Sequence, residues 1–83
     1  MTDQTPTTVA LSTGIAGTLA GIYTAVVTSA DTVTLTNFTD ILNAYVIDLS
    51  DNSEATATLS TNVVAVTQAG LVTQKILIYA QGT

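Results

Sequence analysis

A chain of 83 residues without cysteine or histidine has no disulfide to staple it and no thiolate or imidazole to hold a metal, so self-association is the remedy left for a core this small. Lys75 is the only basic side chain against six acidic ones; a net charge of −5 excludes phosphate recognition and adhesion to anionic lipid. With 18 Thr, 9 Val and 6 Ile the chain is rich in β-branched residues that favour pleated structure, and only 8% of it is charged, against about 25% in an ordinary domain.

Residues 1–8 are polar, contain Pro6 and show no periodicity, which predicts a flexible N-terminal arm ahead of a single β domain over 9–83. The arm lacks the basic stretch expected of a secretory signal. Val9 to Ala30 carries no charge. Its length would suit a membrane span over Val9–Val27, and Gly17-Thr18-Leu19-Ala20-Gly21 matches the small-xxx-small pattern of helix dimers. Sparse large apolar residues, many Thr, Ser and Gly, and flanking Asp3 and Asp31 in place of Lys or Arg argue instead for a strand or arm at Val9–Leu11. Turns at Gly14 and Gly17 and a strand over Ile22–Thr28 then follow.

Thr32-Val33-Thr34-Leu35-Thr36 alternates cleanly, with Val33 and Leu35 inward. Phe38, in the connection that follows, is placed to plug the core. Ile41 to Leu49 holds the densest group of large apolar residues, on both of its faces. Asn43, Tyr45, Ile47 and Leu49 share one, while Leu42, Ala44, Val46 and Asp48 share the other. Each face of such a strand needs a cover, which predicts a central position. Asp51-Asn52-Ser53-Glu54 is turn chemistry. A hairpin follows, Ala55–Leu59 to Val63–Thr67, across a Thr61-Asn62 loop in which Asn62 would supply positive φ. Gln68-Ala69-Gly70 turns the chain into a last strand, Val72–Ala80. Its Val72, Gln74, Ile76 and Ile78 face one way, and Thr73, Lys75, Leu77 and Tyr79 the other. About six short antiparallel strands with frequent turn signals predict an all-β fold, a small β-sandwich or barrel-like domain. The predicted core and interface anchors are Val33, Leu35, Phe38, Ile41, Tyr45, Ile47, Leu59, Val66, Ile76 and Ile78.

The inventory leaves little for catalysis. No Ser-His-Asp triad or cysteine nucleophile can be assembled, and no glycine-rich phosphate loop is written. Lys75 could activate a serine, but a single Lys on a strand face reads more simply as a solvated gatekeeper. Asp48, Asp51 and Glu54 around one turn are oxygen ligands of the kind Ca²⁺ takes; the plainer reading is a turn whose acids cap backbone groups. Asn37-Phe38-Thr39 fits a glycosylation acceptor without the secretory context to use it. No cofactor is implied.

From Gly21 onward the order of parts, GIYTAVVTSADTVTLTNFTDILNAYVIDLSDNSEATATLSTNVVAVTQAG ending in KILIYAQGT, resembles small virion structural proteins of tailed phages and related viruses. In that group, of the capsid decoration (cement) type, a DTVTL-like strand precedes an FTDILNAYV-like strand, a Thr/Ala-rich hairpin and a closing ILIYA-like strand. The likeness spans Gly21 to Thr83 and lies in the pattern of polarity; it carries no catalytic residues across. It implies a β-sandwich or barrel, often a homotrimer, bound to the outside of a capsid through the major capsid protein or another virion protein. The uncharged segment before Ile22 departs from that pattern and would be an extra strand or docking arm. Two other readings compete. A receptor- or sugar-binding head or tail fibre module would show aromatics on loops, where only Phe38 stands. A small membrane protein would use Val9–Val27.

Overall fold

The computed structural model describes residues 2–14 and 17–83. Nine strands form among them: β1 Asp3–Gln4, β2 Thr7–Thr13, β3 Leu19–Val27, β4 Thr32–Thr34, β5 Ile41–Asp48, β6 Ser53–Glu54, β7 Ala57–Ser60, β8 Val63–Val66 and β9 Gln74–Gly82. They make two sheets, ordered β1-β4-β8-β7 and β2-β3-β9-β5-β6, so the chain is all-β and sandwich-like, as the alternation predicts. Every pairing is antiparallel except that of β1 with β4.

The core lies between the two inner faces. Val33, Val64 and Val66 of the four-stranded sheet meet Tyr23, Val27, Val46, Ile76 and Ile78 of the five-stranded sheet, with Leu35, Phe38, Ala55 and Leu71 closing the ends. Phe38 plugs the core as expected, its ring 6.3 Å from that of Tyr23 and tilted by 60°.

Several expectations need correction. The central strand is β9, paired with β3 along its whole length and with β5 along most of it, whereas β5 has only the two-residue β6 on its far side. Composition marked β5 as buried on both faces; the second face of β5 is in fact open, with Tyr45 at 54% exposure. The strand expected from Ile22 begins at Leu19 and includes Gly21. That glycine is a packing residue: a Cβ there would stand 2.7 Å from Tyr23 Cε1, because the Tyr23 ring lies across it. The residues read as an arm, 1–8, contain β1 and the first two residues of β2. Backbone pairing of Asp3 with Thr32 and Gln4 with Val33 holds them, so the boundary expected after residue 8 falls inside a strand. Positive φ in the β7–β8 loop sits on Thr61 (55°), not on Asn62. The glycine expected to turn the chain at Gly70 does so, with φ of 86°. Val9–Val27, weighed as a membrane span, supplies most of β2 and β3, and no helix of the described residues is long and apolar enough to cross a membrane. Ile15 and Ala16 of that segment lie outside the described residues.

Candidate functional site

Strand alternation fixes what the outer face of the five-stranded sheet carries. On its inner face Tyr23 pairs with Ile78, and Ile78 with Val46, all three buried. One residue along each strand, the side chains point the other way. Ile22 pairs with Tyr79 and Tyr79 with Tyr45; Thr24 pairs with Leu77, Leu77 with Ile47, and Ile47 with Glu54. Val26 pairs with Lys75 at one end of the face, and Ala20, Gln81 and Asn43 form the row at the other. The middle of the face is therefore Ile22, Leu77, Tyr79, Tyr45 and Ile47, edged by one ammonium and one carboxylate. Nothing among the described residues covers it. Tyr45 and Tyr79 are exposed, and Ile22, Leu77 and Ile47 are half-buried only through their neighbours in the same sheet.

An apolar surface of this kind, contiguous over three strands and rimmed by Thr, Asn, Gln and the charges of Lys75 and Glu54, is the usual mark of a docking site. The two tyrosines opposite each other bring large ring area with a polar tip, the chemistry favoured at the centre of an interface. Apolar and aromatic at its middle, the face is suited to adhesion.

The predicted anchors divide between the two sides of the sheet. Val33, Leu35, Phe38, Ile41, Val66, Ile76 and Ile78 are buried in the sandwich. Ile47 is half-buried on the outer face and Tyr45 is exposed there. Leu59, on the short edge strand β7, is 39% exposed because no strand lies beyond it to complete its cover. Ile22, Val26, Leu77 and Tyr79 were not among the anchors, although the two apolar faces of β9 were already visible as alternation.

The three acids weighed for calcium do not converge, and no group of three metal-ligating side chains does among the described residues. Asp48 Oδ1 accepts from the Ser50 N–H (2.9 Å) and hydroxyl (2.8 Å), and Asp51 Oδ1 from the Ser53 N–H (3.0 Å) and hydroxyl (2.6 Å). The Ser53 hydroxyl and then its N–H hold the Asp51 carboxyl below the usual range. Glu54 stands at the sheet edge opposite Ile47. Asp48 and Asp51 are thus turn-capping acids, the plainer of the two readings.

Asp31, which the sequence offers as an acid capping the Ser29-Ala30-Asp31 turn, does so and reaches further. It is buried, and its carboxylate accepts from the Thr28 N–H (2.9 Å), the Gln4 side-chain amide (3.0 Å) and the Thr2 N–H (2.9 Å). Those donors, Thr28 first, hold its carboxyl below the usual range. It fastens the N-terminal segment to the sandwich.

A second feature is a polar cleft of about 310 Å³ between the N-terminal segment and the β4 end, with Asp3, Thr8, Thr34, Thr36 and Asn37 on its walls. Its one aromatic residue, Tyr23, is buried, donates its hydroxyl to Asn37 Oδ1 at 3.2 Å, and has its ionisation pushed up by burial. The cleft offers hydroxyls and carboxylate but no free ring on which a sugar could stack. Among protein-family models, curated proteins and solved structures, none matches this chain.

Proposed function

We propose that this chain is a virion structural protein of the capsid decoration type, which acts as a homo-oligomer seated on the head shell and stabilises it by contact alone. The observation that carries the adhesive half of this reading is the uncovered face around Tyr79, Tyr45, Ile22, Leu77 and Ile47. In an 83-residue chain with 8% charge, so much apolar surface left open is best accounted for by a partner that removes it from water. The shell as that partner comes from the resemblance of Gly21–Thr83, which also implies three copies and contact with the major capsid protein or another virion protein.

Mechanically, each copy would bridge neighbouring shell subunits through the outer face, and several copies in one assembly would engage together. Linked weak contacts of that kind bind far more tightly than any one alone, which suits a protein that must oppose pressure from within. The test is co-sedimentation of the purified chain with empty heads. Binding is expected, and Tyr79→Glu, which places a charge at the middle of the face, should weaken it at least tenfold. A wild-type chain left in the supernatant, or a variant that binds as well as wild type, would refute the proposal.

A further inference from the structure

Among the described residues the two sheets end in four strands, and three of them are short. β1 and β6 are two residues long and carry Asp3 and Glu54, and β7 is four residues long. The fourth edge, β2, runs for seven residues, every one exposed, with no charge and no proline between Thr7 and Thr13. Val9 is 60% and Leu11 43% exposed on it. Protein sheets normally guard such an edge, because its free N–H and C=O groups are a template for another strand. An edge left open in a molecule that guards the others points to a partner strand.

The sequence of β2 says which one. Thr7-Thr8-Val9-Ala10-Leu11-Ser12-Thr13 reads the same in polarity in both directions about Ala10. Laid antiparallel on itself with Ala10 at the centre, it sets Val9 opposite Leu11 of the second copy, Thr8 opposite Ser12 and Thr7 opposite Thr13. Apolar then meets apolar and hydroxyl meets hydroxyl, the pairings that stabilise adjacent strands. A foreign strand would need that pattern by coincidence; a second copy has it by symmetry. Charge agrees. Joining two five-stranded sheets at β2 puts their acidic β6 turns about nine strand spacings apart, roughly 43 Å, against a screening length of about 8 Å. The acid nearest the junction, Asp3, accepts from the hydroxyls of Thr32 and Thr34 at 3.0 Å each. The bulge between Thr8 and Ala10 in the pairing with β3 adds twist beside the junction.

We propose that β2 is a homophilic edge: two copies pair β2 to β2, antiparallel about Ala10, into one continuous ten-stranded sheet. The contact is isologous and closes at two, since each copy spends its one β2 edge on the other. It does not depend on the shell reading, and it uses a different surface from the outer face around Tyr79.

Because the chain has no cysteine, one introduced at the symmetry axis reports the register directly. Oxidised Ala10→Cys should form a covalent dimer, the paired Cα atoms lying at disulfide distance. Thr58→Cys, exposed on β7, should do so at least tenfold more slowly. Light scattering at about 100 μM should find wild-type dimer, and Val9→Lys, an edge charge at an exposed position, should raise the dissociation constant at least tenfold without lowering the monomer's melting temperature. A wild-type monomer at that concentration, equal cross-linking at the two cysteine positions, or a dimer that Val9→Lys leaves intact would overturn the pairing. So would a purely trimeric species, which an isologous edge cannot build and which would leave shell binding untouched. Conversely, Tyr79→Glu should weaken shell binding at least tenfold while leaving the β2 dimer whole.

Discussion

Asp31 accepts three hydrogen bonds, two that tie residues 2–4 to the β3–β4 turn and one from Thr28 within it, and its chemistry sets an acid limit on the fold. A carboxyl whose folded value lies below its unfolded value of about 3.9 contributes fully above that value and loses its contribution as pH falls through the folded one. Asp51, lowered by Ser53, acts in the same sense. Urea midpoints should therefore hold from neutral pH down to about 5 and fall steadily below 4. In Asp31→Asn the amide keeps one acceptor oxygen but turns its NH2 toward the donors that the other carboxylate oxygen served, so the midpoint at neutral pH should drop and the acid limb should flatten; an acid limb as steep as wild type would show that other carboxylates govern it. Gly21 makes a second residue-scale demand. The Tyr23 ring above it is buried and bonded to Asn37, so it cannot yield to a methyl group. Gly21→Ala should cost about 1–3 kcal/mol by overpacking, read from chemical denaturation. Neither residue announces this in the sequence. A lone Asp in a turn and a Gly between apolar residues look like ordinary turn chemistry until distant parts of the chain are brought against them.

Among the elements, β9 is the one on which the five-stranded sheet depends. It pairs with β3 over nine residues and with β5 along most of its length, and its inner residues Ile76, Ile78 and Ala80 are wholly buried. Ile78→Ala should destabilise by about 2–5 kcal/mol, whereas Leu42→Ala on β5, at 66% exposure, should stay within about 0.5 kcal/mol. A comparable loss at both positions would return β5 to the centre. In the monomer amide exchange should follow the same order, slowest in β9 and fastest in β2, whose outer edge and both faces meet solvent there. Local pattern revealed much at this scale. The β4 alternation, the β7–β8 hairpin around Thr61-Asn62 and the two faces of β9 all follow from period-two spacing and turn residues. Sheet order did not follow, because nothing local distinguishes a strand with two neighbours from one with a neighbour and a half. Both β5 and β9 are apolar on two faces, and only the crossing of β3 to β9 determines which lies inside.

At the scale of the whole molecule, two open surfaces remain after folding: the outer face of the five-stranded sheet and the β2 edge. Any contact formed by folded copies and not by unfolded ones raises apparent stability with concentration. The melting temperature should therefore climb over a hundredfold range of protein concentration, and the climb should vanish in Val9→Lys. A melting temperature independent of concentration in the wild type would mean that neither surface recruits a second copy. The scarcity of charge that first suggested association is thus localised: the acids cluster at turns and short edges, while the long edge and the broad face are neutral.

Composition alone settled the class of the molecule. β-Branched residues at this density, broken by short polar turns, can bury their apolar side only in sheets, and a chain without cysteine or histidine has no cross-link or imidazole chemistry to fall back on. What needed the tertiary structure was which apolar face goes inside. Two apolar faces on one strand are equivalent in sequence. The four-stranded sheet can lie on only one side of β5, β9 and β3, and that asymmetry, not the residues themselves, makes Ile76 and Ile78 core and leaves Tyr79 and Tyr45 to the solvent.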